Sequence, residues 1–429
     1  MLIYTPHITP RIVYVTHWVF SSVFQTPYRL TDNFSLFEQS TGARLNYSNK
    51  PVSNVPQILP CGLLTETGVQ VQQIPLYRNA GKVYPFAVGN DLLGFDVLAA
   101  VFYFISRYEE YLPHKKDQYG RFMARESLHA QIGNIATPLV DEWLWLLKAE
   151  LQVQEPAGKF RSLFTYDIDT AYAYRGRPLW LTAAHILKDL FTFRFKAITK
   201  RLNVLRARTT DPYDTYNEIV EQAATHGLDT LFFFLLGNRN KYNRNLHHRS
   251  TVLRRLVNRV QQQTKTGIHP SYHTPANARL LHTEIKRMQL ISGTRVTRSR
   301  QHYLRFQLPL TFRQLAAAGI QEEYSMGYAE TPGFRAGTCF PFYFFDVERN
   351  ETTTLKIFPV SFMEGTFAED MGAMPEAAFP VMLQLLETVK KYNGFFCCIW
   401  HNHTLSDEGL WKGWKDIHRR IAAAVKGPL

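Results

Sequence analysis

The second part of the chain alternates short apolar runs with amphipathic segments, and this alternation predicts its architecture. The apolar runs predict seven strands, near residues 160–167, 229–236, 265–269, 294–298, 322–327, 355–361 and 395–401. The segments between and after them carry apolar residues at helical spacing and predict helices at about 213–226, 250–264, 277–292, 309–318, 375–393 and 410–426. Because strand–helix alternation is typical of a parallel sheet, we expect an α/β fold whose seven strands close into a (β/α) barrel.

The first part of the chain follows a different pattern. Short β-like runs at 11–16, 69–74 and 83–88 alternate with turns, and two apolar helices follow at about 91–112 and 137–151. This pattern predicts a smaller N-terminal α+β domain over residues 1–155. Residues 155–159 contain Pro and Gly and predict a linker to a second domain over residues 159–429.

Composition places the chain among ordinary globular proteins. Hydrophobic residues make up 45% and aromatic residues 14% of the sequence, which excludes a disordered chain. We find no apolar run of the roughly 18 residues that a membrane-spanning helix needs, and no export signal at the N-terminus. The four cysteines lack the spacing of a metal-binding pair. These features favour the cytoplasm.

The net charge of +13 is concentrated in the second part of the chain. Nine Lys or Arg residues and one acid, Asp189, lie between Tyr174 and Arg208, inside an insertion at about 171–212 whose apolar residues have helical spacing. One interpretation is a lid that packs on the barrel with its charges solvated. The other is docking of residues 179–208 against an anionic membrane or a lipid-linked, phosphate-bearing glycan, which would make the protein peripheral to the membrane. Nucleic-acid binding is not predicted, because no nucleic-acid-binding motif accompanies the charge.

Polar residues with metal-binding and acid–base chemistry follow the predicted strands. The C-terminal ends of barrel strands meet on one face, so these side chains are expected to gather there. An Asp-x-Asp pair together with histidines is typical of a metal ligand beside a general base, although each residue alone could be a turn or a hydrogen-bonded group. The residues are Asp167, Asp169, His269, His273, Arg298, Arg300, His302, Arg335, Glu364, His401 and His403.

The motifs around these residues resemble the polysaccharide deacetylase superfamily of carbohydrate esterases, over about residues 160–405. The segment Thr165-Tyr-Asp-Ile-Asp169 is similar to the family's first motif, which implies that Asp167 is the catalytic base and Asp169 a metal ligand. The segment His269-Pro-Ser-Tyr-His273 is similar to the second, which implies that His269 and His273 complete the metal site.

Two later segments extend the resemblance. Gly333–Phe342 is similar to a motif whose arginine orients the base, which implies this role for Arg335. Cys398-Ile-Trp-His401 is similar to the last motif, which implies that His401 is the catalytic acid, and Glu364 is the nearest candidate for the acidic residue of a fourth motif. The first region resembles an uncharacterised domain that precedes deacetylase-like barrels in bacteria, through residues 95–112.

The resemblance implies a metal-dependent hydrolase that removes an acetyl group from an N-acetylated sugar or glycan and so cleaves a non-peptide C–N bond. The implied cofactor is Zn²⁺ or another divalent metal, and the implied partner is a carbohydrate substrate. Tyr272, Arg300 and His302 are expected to contact that substrate. The alternative is a non-catalytic glycan-binding protein on a deacetylase-like barrel.

Overall fold

The computed structural model describes residues 1–89, 91–154 and 158–427. The predicted linker at 155–159 therefore lies largely outside the described residues, because residues 155–157 belong to a gap.

The N-terminal region combines two small sheets with short helices. Its first four strands form a parallel sheet in the order β2-β1-β3-β4, and the last two form an antiparallel hairpin. The strands are β1 Leu2–Tyr4, β2 Arg29–Thr31, β3 Arg44–Tyr47, β4 Gln57–Ile58, β5 Leu76–Asn79 and β6 Lys82–Pro85. The helices are α1 Pro10–Thr16, α2 Phe34–Gln39, α3 Val97–Ile105, α4 Leu128–Ile132 and α5 Leu139–Glu150.

Two of the three predicted N-terminal strands are wrong. Residues 11–16 lie in helix α1, because the Thr9 hydroxyl caps the first turn by accepting from Ile12 N at 3.2 Å, and Pro10 occupies the first helical position. Residues 69–74 are irregular. The predicted helix at 91–112 is shorter than expected, since Asp96 caps α3 and Arg107 adopts a left-handed conformation (φ 53°) that ends it.

The second region is built on a curled sheet, for which residues 158–427 supply nine strands in the order β12-β13-β11-β10-β9-β8-β7-β15-β14. All neighbouring pairs are parallel except β12 and β13. The strands are β7 Arg161–Ile168, β8 Asp229–Leu235, β9 Lys265–His269, β10 Arg298–Ser299, β11 Glu322–Met326, β12 Phe342–Asp346, β13 Glu351–Pro359, β14 Phe362–Met363 and β15 Phe395–His401. The helices are α6 Leu179–Phe191, α7 Phe195–Leu205, α8 Tyr216–His226, α9 Thr251–Gln261, α10 Ala278–Ser292, α11 Leu310–Ala317, α12 Pro375–Lys391 and α13 Trp414–Ala424.

The strands and helices predicted for this region are confirmed as strands and helices, although their ends differ. Each predicted strand overlaps an observed one, although β10 shares only Arg298 with the predicted run at 294–298, and β12 and β14 were not predicted. The predicted helices all occur, with ends that differ by a few residues. The alternation of apolar segments therefore predicts the mixed α/β architecture, while closure into a seven-stranded barrel stays a prediction.

The two faces of the curled sheet bury different cores. Along β7, Phe164 and Tyr166 belong to the large core shared with the helices, whereas Leu163 belongs to a separate core inside the curl, with Phe233 and Ile399. Successive residues of a strand point to opposite faces, so Thr165 and Asp167 also point inside the curl. This alternation delivers the Asp167 carboxylate to the concave side of the sheet.

Buried charges connect the N-terminal region to the second region. Glu110 accepts from Arg335 at 2.9 and 2.7 Å and from Arg107 at 2.8 Å, and all three side chains are at most 4% exposed. Burial acts to raise the pKa of Glu110, but the two arginines outweigh it and lower the pKa to about 2. The carboxylate therefore stays charged at neutral pH and pairs both guanidinium groups.

We expect Glu110→Gln to lower the free energy of unfolding by about 3–5 kcal/mol, because it leaves the buried Arg335 guanidinium without its ion-pair partner and leaves Arg107 paired with Glu109 alone. Because its folded pKa lies below its ordinary value of 4.5, Glu110 stabilises the native state above about pH 4.5, and this contribution is lost as the pH falls towards 2. Urea titration at pH 7 measures the loss. The control is Lys82→Met, which removes the exposed Lys82–Glu142 pair and should cost less than about 1 kcal/mol. Equal costs for the two variants would contradict this account.

Candidate metal centre

The centre begins at the C-terminal end of β7, where Asp167 and Asp169 are two residues apart. Asp167 is 3% exposed, and its Oδ2 lies 3.8 Å from His269 Nε2. Asp169 Oδ1 lies 3.2 Å from the same nitrogen and 3.3 Å from His302 Nδ1. Both carboxylates therefore face one small volume at the strand ends.

A backbone carbonyl fixes the orientation and tautomer of His269, the last residue of β9. His269 Nδ1 lies 2.6 Å from Arg300 O, and a carbonyl can only accept, so Nδ1 carries the proton. The lone pair of Nε2 then points towards Asp169. A histidine that donates one ring N–H to a carbonyl and offers the other nitrogen has the usual arrangement of a metal ligand.

His302 is held in the same manner. Its Nε2 lies 3.1 Å from Tyr242 O, so this nitrogen donates and Nδ1 offers a lone pair to the cluster. The backbone N–H of His302 also donates to Pro270 O at 3.0 Å, which fixes the loop that follows β10. Burial lowers the pKa of His302, which favours the neutral, ligating imidazole.

When both imidazoles are neutral, three acceptor atoms therefore meet without a donor between them. His269 Nε2 and His302 Nδ1 are 3.1 Å apart, and ligand atoms from Asp169, His269 and His302 all lie within 4.8 Å of one another. Asp169 Oδ1 is buried and has no hydrogen-bond partner among the described residues. Lone pairs that face each other repel unless a cation or proton lies between them, and two imidazoles with a carboxylate are suitable ligands for a divalent metal. These residues fit a metal site.

The pKa shifts in the cluster indicate the same demand for positive charge. Burial acts to raise the pKa of Asp169, but the imidazoles of His302, His269 and His401 hold it far below its usual range. Burial acts to lower the pKa of His269, but Asp167 and Asp169 outweigh it and raise the pKa. The carboxylates therefore stay charged, and a positive charge beside them, from an imidazole proton or from a cation, is favourable.

The predicted third ligand, His273, does not reach this cluster, and His302 lies there instead. Thr274 N donates to Ser271 O at 3.0 Å, so residues 271–274 form a tight turn in which His273 occupies the third position (φ −93°, ψ −3°). The turn leaves the His273 ring exposed. Glu284 holds the first residue of this turn, because it accepts from Ser271 N at 2.8 Å and from the Ser271 hydroxyl.

Arg300, and not Arg335, contacts Asp167. The fully buried Arg300 guanidinium donates to Asp167 Oδ1 at 2.9 Å and to Thr165 Oγ1 at 2.6 Å, and its Nε donates to Tyr324 O. The predicted orienting residue, Arg335, is committed to Glu110. Because Arg300 already donates to groups inside the curl, its observed contacts are with Asp167, Thr165 and Tyr324, and its predicted contact with substrate stays a prediction.

His401 and Glu364 form a second pair on the other side of Asp169. Glu364 Oε1 accepts from His401 Nδ1 at 2.9 Å and from its backbone N–H at 2.6 Å, which leaves His401 Nε2 3.7 Å from Asp169 Oδ2. Burial acts to lower the pKa of His401, but Glu364 outweighs it and raises the pKa to about 10. His401 is therefore a protonated imidazolium whose Nε2–H faces the cluster.

The cluster lies at the base of a cavity of about 430 Å³ whose wall is rich in aromatic rings. Tyr272, predicted to contact substrate, lies behind this wall and stacks on Tyr242 with ring centroids 3.8 Å apart. The N-terminal region contributes Tyr119 and Arg121, which were not predicted from the sequence because no spacing links that loop to the strand ends. The aromatic lining residues are Tyr119, Tyr213, Tyr242, Tyr303 and Trp411.

Comparisons with known proteins give low similarities. A family model described as "Family of unknown function (DUF7033)" matches residues 1–156. No curated protein sequence matches the chain. Among solved structures, the chain is similar to "putative polysaccharide deacetylase from Mycobacterium smegmatis", with 13% identity, 63% of this chain and 87% of that chain covered, and a TM-score of 0.41. It is also similar to the polysaccharide deacetylase Bc1974 from Bacillus cereus, with 10% identity, 62% and 86% covered, and a TM-score of 0.30. Likenesses at this level assign no activity to the chain.

We expect His302→Ala and Asp169→Ala to abolish stoichiometric Zn²⁺ binding, whereas His273→Ala should bind as the wild type does. The reason is that His302 Nδ1 faces Asp169 and the exposed His273 ring does not. Calorimetric titration of chelator-treated protein with Zn²⁺, checked by elemental analysis, measures the stoichiometry. Loss of binding in His273→Ala with retention in His302→Ala would restore the ligand set predicted from sequence.

Proposed function

We propose that the protein is a divalent-metal-dependent hydrolase that removes an acetyl group from an N-acetylated sugar or glycan. The observation that carries this proposal is the convergence of Asp169 Oδ1, His269 Nε2 and His302 Nδ1, which lie 3.1–3.3 Å from one another. An arginine-held carboxylate and a protonated histidine flank that cluster. Metal ligands, a base and an acid around one volume are the components of metal-assisted amide hydrolysis.

Asp169, His269 and His302 would hold the metal. The nitrogen-rich, three-ligand set suits Zn²⁺, which in catalytic sites keeps a further position open. When bound, the cation would supply Lewis-acid polarisation of the acetyl carbonyl.

Asp167 is suited to take a proton from the attacking water. Arg300 donates to one oxygen of this carboxylate at 2.9 Å, and the other oxygen faces the ligand cluster. Because Arg300 is itself held by Thr165 and Tyr324, the base cannot rotate away. A base that is fixed before substrate binds loses little to reorganisation during the reaction.

His401 is suited to give a proton to the departing amine. Glu364 accepts the Nδ1–H, so the proton on Nε2 is the one directed into the cavity. Asp167 and His401 are partners in the register of β7 and β15, so base and acid lie at the same height of the sheet on adjacent strands.

The aromatic cavity wall supports a carbohydrate as the substrate class. In the cavity wall, the ring of Tyr303 contacts the rings of Tyr119 and Tyr242, with centroid distances of 5.1 Å to Tyr119 and 6.0 Å to Tyr242. Aromatic faces stack on the apolar faces of sugar rings, while a cavity of about 430 Å³ is large enough for one or two residues of a glycan.

We also propose that the curled sheet is a distorted seven-stranded barrel that forms a domain separate from residues 1–155. In support, Val360 N donates to Met326 O of β11 and Ser361 N donates to Cys397 O of β15, so the segment from β13 to β14 bridges both sides of the curl. Counted as one strand, this segment gives seven parallel positions, with β12 as an added hairpin strand.

Asp167→Asn should retain Zn²⁺ and the fold yet reduce acetate release by at least 100-fold, because an amide keeps the shape of the base but cannot accept the proton. Acetate released from N-acetylglucosamine oligosaccharides, with metal content measured on the same samples, checks this. The matched control is His273→Ala, which should release acetate at the wild-type rate. Full activity in Asp167→Asn would refute the assigned role, and a metal-loaded wild type without activity would favour the non-catalytic glycan-binding protein.

Glu364→Gln should lower kcat by at least tenfold with little change in KM, because it removes the charge that keeps His401 protonated while the cavity wall is unchanged. Steady-state kinetics on the same oligosaccharide separates the two constants. A rise in KM with kcat unchanged would show that Glu364 acts in substrate binding and not through His401.

A further inference from the structure

The insertion after β7 forms a helical hairpin of α6 and α7. Charged groups on the inner face of this hairpin pair with each other. Arg201 donates to Asp189 at 2.9 Å, and its guanidinium carbon lies 4.9 Å from the centre of the Tyr174 ring. Asp189 is the only acid between Tyr174 and Arg208, so this pair uses the one negative charge of the segment.

The outer face of the hairpin is apolar and uncovered. Leu179 is 87% exposed, Trp180 71%, Phe191 76% and Phe193 79%. Along α6 the exposed residues 179, 180, 183, 187, 190 and 191 follow helical spacing, so they form one continuous stripe. A lid packed on the sheet would bury this stripe, whereas the structure leaves it facing outwards.

Unpaired cations border the stripe. Lys188, Arg194, Lys196, Arg206 and Arg208 are exposed, and no acidic side chain within residues 1–89, 91–154 and 158–427 forms an ion pair with them. An apolar stripe rimmed by free positive charge complements a surface that has a negative layer above an apolar interior. A second protein surface would have to supply an apolar groove with an acidic rim to match it.

We propose that the α6–α7 hairpin docks on the surface of an anionic phospholipid bilayer, with its aromatic stripe in the headgroup region and its cations on the phosphates. No helix of the described residues is long and apolar enough to cross a membrane. The 13 residues of α6 span about 20 Å and are suited to lie in the plane of the interface. The docking does not depend on the metal site.

The hairpin is connected directly to the aromatic cavity. The chain leaves the cavity wall at Thr170 and returns to it at Tyr213, and Lys200 of α7 pairs with Glu408, three residues before the lining residue Trp411. Docking would therefore bring the cavity near the bilayer surface. If the proposed deacetylase function holds, this position suits a glycan that is attached to a lipid.

Co-sedimentation with phosphatidylcholine vesicles, with and without 30% phosphatidylserine, tests the docking on the full chain. We expect binding to the anionic vesicles at 50 mM NaCl, weaker binding at 500 mM NaCl, and little binding to phosphatidylcholine alone. The triple variant Lys188→Gln, Arg194→Gln, Lys196→Gln should lower the partition coefficient about 100-fold, since each cation near such a surface contributes about a fivefold effect. The triple variant Trp180→Ser, Leu187→Ser, Phe191→Ser should lose binding at both salt concentrations.

The matched control is Arg254→Gln, Arg255→Gln, Lys286→Gln, which removes three exposed cations from α9 and α10 and should bind as the wild type does. Circular dichroism of every variant verifies the fold. Equal binding of the wild type to anionic and neutral vesicles, or equal loss in the control, would overturn the proposal. A concentration-dependent dimer that the Trp180 triple variant abolishes, without vesicle binding by the wild type, would assign the stripe to a second copy of the chain. Acetate release by the soluble protein is measured separately, so failure of docking and failure of the proposed function are distinguishable.

Discussion

Two backbone carbonyls determine the chemistry of the candidate centre. Arg300 O and Tyr242 O each accept an N–H from one imidazole, and this fixes the tautomers of His269 and His302. In the neutral imidazoles, the remaining nitrogens then present lone pairs to the Asp169 carboxylate. This arrangement is unfavourable unless a positive charge occupies the volume between the three atoms, so the fold itself creates the demand for a cation.

Buried ion pairs hold the Asp167 and His401 side chains beside that volume, each in a fixed orientation. Arg300 neutralises Asp167 from inside the curl, while Glu364 neutralises His401 from the other side. In a low-dielectric interior such pairs keep a base and an acid charged at the same pH and only a few ångströms apart. The same device, with Glu110 between two arginines, joins the N-terminal region to the loop that follows β11. Arg305 Nε donates to Tyr119 O, and Arg121 donates to Tyr303 O, so Tyr119 and Arg121 lie in the cavity wall and the N-terminal region takes part in the site.

The sequence predicted the strand ends and four members of the site because these depend on local pattern. Asp167, Asp169, His269 and His401 directly end or follow predicted strands, and the structure brings these four residues together. It could not predict the exchange of His273 for His302, or of Arg335 for Arg300, because both depend on how loops from different strands turn. Pro270 was the available signal: it ends β9 abruptly and begins the turn that exposes His273. The strand predicted at residues 11–16 is a helix for a related reason: packing and the Thr9 cap outweigh the strand preference of its β-branched residues.

A crystal structure of the protein soaked with Zn²⁺, with diffraction data on both sides of the zinc absorption edge, tests the central claim most directly. The account predicts one strong anomalous peak about 2.0–2.2 Å from Asp169, His269 Nε2 and His302 Nδ1. It also predicts that His273 remains in solvent. An anomalous peak that includes His273 and excludes His302, or none at the strand ends at saturating Zn²⁺, would contradict it.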